Sequence, residues 1–265
     1  MTVGVLHPGE MGAALAAALR EKGESVLWAS AGRSPATAER ARDADLEDAS
    51  AVEELVLRSD VILSVCPPSA AVDVARSAAA FGGIYVDANA VSPSTARAIA
   101  GFVARYVDGG IVGPPPRAPG TTRLYLSGEE AEHVAGLFAG TSVDARVVSL
   151  DNTAASSVKM TYAAWTKGTS ALLLAVRAAA RAEGIEATLL DEWRLSLPEL
   201  SERSEAAARS AARKGWRWVG EMEEIADTFA AAGLPDGFHR AAAEIYRQVS
   251  SDLGRLTGPR NPSGG

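Results

Sequence analysis

Val3-Gly4-Val5-Leu6-His7-Pro8-Gly9-Glu10-Met11-Gly12 begins as an apolar strand and ends in the first turn of a helix. Residues 3–6 form an unalternated apolar run, the pattern of a strand covered on both faces, and the Ala/Leu-rich stretch from Met11 to Lys22 has helical composition. The same unit recurs downstream. Apolar runs at 26–28, 61–65, 84–86, 106–111, 124–126 and 146–148 alternate, in the earlier part, with alanine-rich amphipathic segments. Strands separated by helices predict an α/β domain built on a doubly wound, mostly parallel sheet. Ser50-Ala51-Val52-Glu53 fits a capping box that opens a helix ending before Asp60. Pro67-Pro68 and Ser92-Pro93 halt two strands at their C-terminal ends.

Strand signals stop after Leu150, and residues 154–182 carry good helix formers without proline, enough for one very long helix linking two domains. Lys159, Lys167 and Arg177 interrupt its apolar positions, so it reads as a buried or interfacial helix and not a membrane span. Further helices are expected at 189–193, 199–214, 218–232 and 235–252. This partition gives a Rossmann-type domain at 1–150, an all-helical domain at 151–256 and a flexible Gly/Pro/Ser-rich tail at 257–265.

Composition narrows the classes. Of 265 residues, 47% are hydrophobic and 22% charged, which excludes a disordered chain, and the formal charge of −7 without a dense basic run argues against nucleic acid and anionic membrane as partners. Cys66 is the only cysteine, so no disulfide, CxxC pair or zinc spacing exists and no metal is expected. A reducing cytoplasm fits, and the N-terminal MTVGVLHPGEMG lacks a charged region followed by a long apolar stretch, so secretion is not expected.

The turn at residues 7–12 sits where a dinucleotide fingerprint must sit, between a strand and a helix N-terminus. Gly9 lets backbone approach a pyrophosphate, Gly12 lets helix pack on strand, and the free N–H groups of the helix end attract the anion. His7 replaces the first glycine, and Pro8 biases it toward extended backbone. The same turn also serves as a plain packing device in many proteins. An NAD site places Asp or Glu at the end of the second strand, about 20 residues on. Here the strand runs into Ala29-Ser30-Ala31-Gly32-Arg33-Ser34, whose hydroxyls and guanidinium suit a 2′-phosphate, so NADP is expected; the alternative for Arg33 is a solvated loop charge.

Taken together, these motifs make the N-terminal half resemble the β-hydroxyacid dehydrogenase and 6-phosphogluconate dehydrogenase-like superfamily. His7-Pro8-Gly9-Glu10-Met11-Gly12 resembles its GxGxMG cofactor loop, and Ser64-Val65-Cys66-Pro67-Pro68 its strand-end loop beside the nicotinamide. Val86-Asp87-Ala88-Asn89-Ala90-Val91-Ser92-Pro93 is similar to the next such loop. Asp108-Gly109-Gly110-Ile111-Val112-Gly113-Pro114-Pro115 occupies the place of its substrate loop. Ser157-Val158-Lys159-Met160-Thr161-Tyr162-Ala163 falls where the family carries its catalytic lysine. The segment from Lys159 through Trp218-Val219-Gly220-Glu221-Met222-Glu223-Glu224 to His239 resembles a poorly characterised helical domain of phosphogluconate dehydrogenase-like proteins. Two family positions differ: the substrate-loop serine corresponds to Val112, and the asparagine four residues after the lysine to Ala163.

The resemblance implies an NADPH-dependent oxidoreductase acting on the carbonyl or alcohol carbon of a small molecule, with Lys159 as general acid or base. Burial between the domains, with Lys167 about 80° away around the same helix, would favour a neutral amine; alternatively both lysines face solvent. Asn89 would fix Lys159 or a substrate hydroxyl, and Tyr162 is a second proton donor. Val65, Cys66 and Pro67 are implied beside the cofactor, and Gly113 and Pro114 beside the substrate. Lys167, Trp218, Met222 and His239 are candidate substrate contacts, with Trp165, Trp216 and Glu221 near them, although such residues at helical spacing also make ordinary core. The long helix needs more apolar cover than one helical domain supplies, which points to an interlocked homodimer with sites between the nucleotide domain of one subunit and helices of the other. Two other readings remain: an imine reductase acting on a C=N bond, kept open by Tyr162, and a non-catalytic NADP-binding sensor.

Overall fold

A computed structural model of the chain describes the fold of residues 1–257 and the side chains of residues 1–249. The first strand, β1 (Thr2–Leu6), leads into helix α1 (Glu10–Glu21); β2 (Ser25–Trp28), α2 (Pro35–Asp43), β3 (Glu47–Asp48) and α3 (Val52–Arg58) complete one half of the winding. The chain then crosses to β4 (Val61–Ser64), α4 (Ala71–Ser77), β5 (Ile84–Asp87), α5 (Pro93–Ala100) and β6 (Arg105–Val112). Finally come β7 (Thr122–Ser127), α6 (Ala131–Leu137) and β8 (Val143–Ser149). The strands lie in the order β3-β2-β1-β4-β5-β6-β7-β8. Every pair is parallel except β6 with β7, which are joined by the loop 113–121 with no crossover helix. This is the expected doubly wound, mostly parallel sheet.

The two faces explain the unalternated strands. On one face Val3, Val5, Val26, Trp28, Val61 and Leu63 pack against Leu15, Ala16 and Leu19 of α1. On the other, Leu6, Leu27, Ile62 and Tyr85 pack against Leu55 of α3 and Ile99 of α5. Each such side chain, fully withdrawn from water, contributes about 1.5–3 kcal/mol. The winding reverses between β1 and β4, which stay paired to Leu6 and Ser64, so the connections leaving their C-terminal ends turn to opposite faces and leave a crevice at that edge.

Two local expectations are corrected, and one strand is added. Ser50 does not cap α3: the N-cap is Ala51, without a side-chain hydrogen bond, and Ser50 sits at φ 63° with its N–H donated to Asp48 Oδ1 at 2.7 Å. The two-residue strand β3, both residues exposed, carries no apolar signal in the sequence. The segments 199–214 and 218–232 are one helix, α9 (Glu199–Ala231), because Gly215 is buried within it and helix packing overrides the glycine penalty.

The chain divides into two compact units, Met1–Thr161 and Tyr162–Gly265. The division falls inside the long helix α7 (Ala154–Ala182), not before it, since the first turns of α7 hydrogen-bond to β6. The second unit continues with α8 (Glu186–Ser196), α9 and α10 (Gly237–Thr257). Its core gathers Trp193, Met222, Ile225 and Tyr246, with the Trp218 ring edge-on to Tyr246 at 5.1 Å. Apart from Thr257, the tail expected at 257–265 lies outside the described residues. Among the described residues no helix is long and apolar enough to cross a membrane.

Candidate functional site

The edge where β1 and β4 part company is built from the turn at residues 7–12. His7 takes φ 68°, a left-handed conformation that a histidine adopts at a cost. It is therefore not the extended residue that Pro8 suggested. The turn closes with Gly9 N–H donated to the His7 carbonyl at 2.7 Å. A Cβ on Gly12 would lie 2.8 Å from that same carbonyl oxygen, so α1 can approach β1 only if residue 12 is glycine. Gly9 is the opposite case: among the described residues no atom lies within 4 Å of where its Cβ would be. Gly9 is also the N-cap of α1 and, lacking a side chain, places no cap on its first turn. Open backbone, an uncapped helix end and its positive dipole together fit a pyrophosphate. Glu10 is exposed, while Pro8 is buried, its carbonyl accepting from Arg40 Nε at 3.3 Å, and Met11 packs into the core beneath.

Arg33 reaches this turn from the loop after β2. Its charge acts to lower the pKa of both His7 and Cys66, so it is near enough to act on the turn and on the end of β4. It is half-buried, and its Nε is shielded from water with no hydrogen-bond partner among the described residues. Burial lowers its pKa. Burial, helped by Arg33, also drives the His7 imidazole down to about 4, so the ring is neutral at pH 7, and its Nδ1 likewise has no partner among the described residues. Ser30 accepts the Arg33 N–H at 3.0 Å through its carbonyl. Ser34 is not a free hydroxyl: it caps α2, accepting from Thr37 N–H at 3.3 Å.

Below β4, the Cys66 N–H donates to Asn89 Oδ1 at 2.5 Å, and Asn89 Nδ2 donates to Ser64 Oγ at 3.1 Å and to Asp87. Asn89 is 2% exposed. Its amide is engaged in tying the end of β4 to the loop after β5, so it shapes the crevice and does not present a free group to a reacting atom. The Cys66 thiol is pushed up to about 12, first by burial and then by Asp87, and is unreactive at neutral pH. Val65 and Pro67 flank it, half-buried.

Lys159 stands at the same edge of the sheet. Its Nζ donates to the Ile111 carbonyl near the C-terminal end of β6 at 2.8 Å. The contact is possible because a Cβ on Gly110 would lie 2.7 Å from the Ala155 carbonyl and 3.0 Å from Lys159 Cβ. Beside it lies a network that sequence reasoning did not assign. Asp108 Oδ2 accepts the Ser156 N–H at 2.7 Å and Ser127 Oγ–H at 3.2 Å, and Oδ1 accepts Ser156 Oγ–H at 2.5 Å. Ser127 Oγ accepts the Ala155 N–H at 3.0 Å. A carboxylate and a hydroxyl from the sheet thus cap the first turn of α7. The available signal was an acid inside an apolar strand, directly before Gly109-Gly110.

Past β6, Gly113 (φ 122°) and Pro114 lie on the exposed loop 113–121, pinned by Thr122 Oγ1 donating to the Pro114 carbonyl at 2.5 Å. The family-position changes Val112 and Ala163 are both buried.

In the second unit, Tyr162 is exposed. Lys167 forms a largely buried ion pair with Glu221, and its carbonyl accepts the Tyr246 hydroxyl at 2.7 Å. Lys167 is therefore not the bare cation expected to depress the Lys159 pKa. Met222, 0% exposed, and His239, 5% exposed between the Phe229 and Phe238 rings at 4.2 and 5.3 Å, are buried in the packing of the second unit. Trp218 lines an open depression of about 480 Å³ with Trp165, Lys167 and Arg203.

Comparison with known proteins agrees with this architecture. A family model described as "NADP oxidoreductase coenzyme F420-dependent" matches residues 2–91, and a domain of unknown function, DUF1932, matches residues 180–249. An uncharacterized 28.5 kDa protein in the 7S RNA 5′ region of Methanothermus fervidus is 30% identical over 194 residues, which are 72% of this chain and 75% of that protein. A conserved protein of unknown function, whose structure is described as similar to 3-hydroxyacid dehydrogenases, is 29% identical with a TM-score of 0.68, covering 97% of this chain and 98% of that one. The fold is shared at lower identity by 3-hydroxyisobutyrate dehydrogenase of Mycobacterium tuberculosis (18%, TM-score 0.67, covering 97% and 99%). It is shared also by an imine reductase of Streptomyces aurantiacus (20%, TM-score 0.55, covering 97% and 99%). With its doubly wound sheet, its glycine turn at the crevice and its helical C-terminal part, the chain belongs to the β-hydroxyacid dehydrogenase-like family of NAD(P)-binding oxidoreductases.

Proposed function

We propose that the protein is an NADPH-linked oxidoreductase that acts on the carbonyl or alcohol carbon of a small molecule, with Lys159 as the group exchanging a proton with the substrate oxygen. The observation that carries this reading is the placement of Lys159 Nζ, 2.8 Å from the Ile111 carbonyl, at the same sheet edge as the open Gly9 turn. A fixed amine beside a nucleotide crevice is what general acid catalysis of carbonyl reduction requires.

The turn at residues 7–12 would hold the pyrophosphate, Arg33 with Ser30 the 2′-phosphate, and residues 65–67 the nicotinamide end. When bound, the nicotinamide supplies or accepts the hydride. Arg33 favours NADP over NAD because its buried Nε lacks a partner among the described residues and no acid closes β2. Gly113 and Pro114 would border the substrate. A second copy of the chain would cover Tyr162, Trp165 and Leu172, an exposed apolar row on α7, giving a homodimer. The single buried thiol suits a reducing cytoplasm.

The test is a turnover screen with NADPH over ketones, 2-oxo acids and cyclic imines, run on wild type and Lys159→Ala. Carbonyl turnover that Lys159→Ala abolishes, with NADPH affinity retained, supports the reading; normal turnover by the variant overturns the role of Lys159. The exposed Tyr162 favours one second reading, a C=N reductase, and consumption of imines alone would establish it. Tight NADPH binding with no turnover of any substrate would instead mark a sensor.

A further inference from the structure

Asp108 has no solvent exposure, and no role in binding cofactor or substrate follows from its place in the fold. Its contacts and those of Lys159 form two rungs of one ladder between β6 and α7. Asp108 holds Ser156, and Ile111 holds Lys159; the residues of each rung are separated by the same 48 positions. Three residues along a strand span about 10 Å and three along a helix about 4.5 Å, so the rungs splay and the long lysine side chain spans the difference. Gly110 lies between the rungs and allows the helix backbone to touch the strand. The axial position of α7 on β6, and with it the reach of the Lys159 amine, is set at the Asp108 rung.

We infer that Asp108 is a positioning residue for Lys159. Acting through Ser156, it fixes where the amine sits on β6 without touching it. Ser127 supports the same rung by accepting the Ala155 N–H at 3.0 Å while donating to Asp108. Burial raises the Asp108 pKa, and its hydrogen bonds from Ser156, Ser127 and Tyr106 oppose that rise, so the ring of donors is what makes a carboxylate tolerable there. For its catalytic consequence the inference rests on Lys159 being the proton-exchanging group; for the placement of the amine it does not.

The chain has only four lysines, Lys22, Lys159, Lys167 and Lys214, so each Cε is resolvable by NMR in lysine-labelled protein. Asp108→Asn keeps the volume but replaces one acceptor by a donor that faces Ser156. The Lys159 Cε titration midpoint is expected to move by at least about 0.5 pH unit, the other three lysines staying within about 0.2. Ser156→Ala, which keeps the carboxylate charge and the backbone N–H but removes one rung contact, should move it less and in the same direction; a shift in Asp108→Asn with none in Ser156→Ala is the lost charge acting through space and overturns the inference. NADPH affinity should stay within about twofold for both variants. If Asp108→Asn lowers thermal stability but leaves the Lys159 titration at its wild-type midpoint, the role is structural only and the inference fails. If the titration moves but Lys159→Ala is fully active, the positioning stands and the catalytic reading of Lys159 falls.

Discussion

Gly9 and Gly12 stand three residues apart in one turn, and replacing each by alanine separates binding from folding. At Gly12 the new methyl would lie 2.8 Å from the His7 carbonyl and 3.5 Å from Val65 Cβ, the first a separation that Cβ atoms essentially never show. Backbone cannot yield as a side-chain tip can, so α1 must shift off β1, at about 1–3 kcal/mol. For a chain of this size that is about 2–4 °C in melting temperature per kcal/mol. At Gly9 the backbone is φ −69°, ψ −172°, open to alanine, with no described atom within 4 Å of the new Cβ. Alanine is a poorer N-cap than glycine by about 0.5–1 kcal/mol. It also restricts the unfolded chain, which offsets about 0.4–1 kcal/mol. Gly9→Ala should therefore melt within about 0.5 kcal/mol of wild type. Its methyl nonetheless fills the space into which a pyrophosphate must come, and NADPH affinity should fall at least about tenfold, or 1.4 kcal/mol. Thermal melts paired with calorimetric titration of NADPH measure both. Wild-type NADPH affinity in Gly9→Ala, or equal destabilisation by the two substitutions, refutes the assignment of the turn.

Three other outcomes are expected. Arg33→Ala should weaken NADPH by about 10- to 100-fold, the worth of a charge-assisted hydrogen bond to phosphate, and leave NADH unchanged in the same titration. Lys167→Met removes the cation paired with Glu221 in the largely buried ion pair and should cost about 3 kcal/mol in urea unfolding, most of it recovered when Glu221→Leu is added. Because the His7 pKa falls from 6.5 unfolded to about 4 folded, the unfolded chain binds more protons between those values, so stability should drop as pH is lowered through that window. His7→Asn, which tolerates the left-handed backbone, should flatten the slope measured by melts at pH 4–7; His239, also lowered by burial, leaves a residual slope of the same sign.

Local chemistry made the first strand, the turn and the long helix legible, because each is encoded within about a dozen contiguous residues. Contacts across the sequence were not. Ser50 to Glu53 fits a capping box, yet Ser50 answers to Asp48 and Ala31 and takes a positive φ. Glu47-Asp48 is a strand only because β2 offers it a free edge. Asp108 meets its partner 48 residues away, and no property of either neighbourhood announces the pairing. Met222 and His239 have the residue types of a pocket wall, but the packing of α9 against α10 decides that they face inward. Lys159 was legible through family resemblance, whereas its hold on Ile111 required the fold.

The most direct measurement is a crystal structure of the chain grown with saturating NADPH. The account predicts the pyrophosphate on the turn at residues 9–12, the 2′-phosphate on Arg33, and the nicotinamide ring on the side of the sheet edge where Lys159 Nζ meets the Ile111 carbonyl. Nucleotide density elsewhere, or a Lys159 amine turned away from that edge into bulk water, contradicts it.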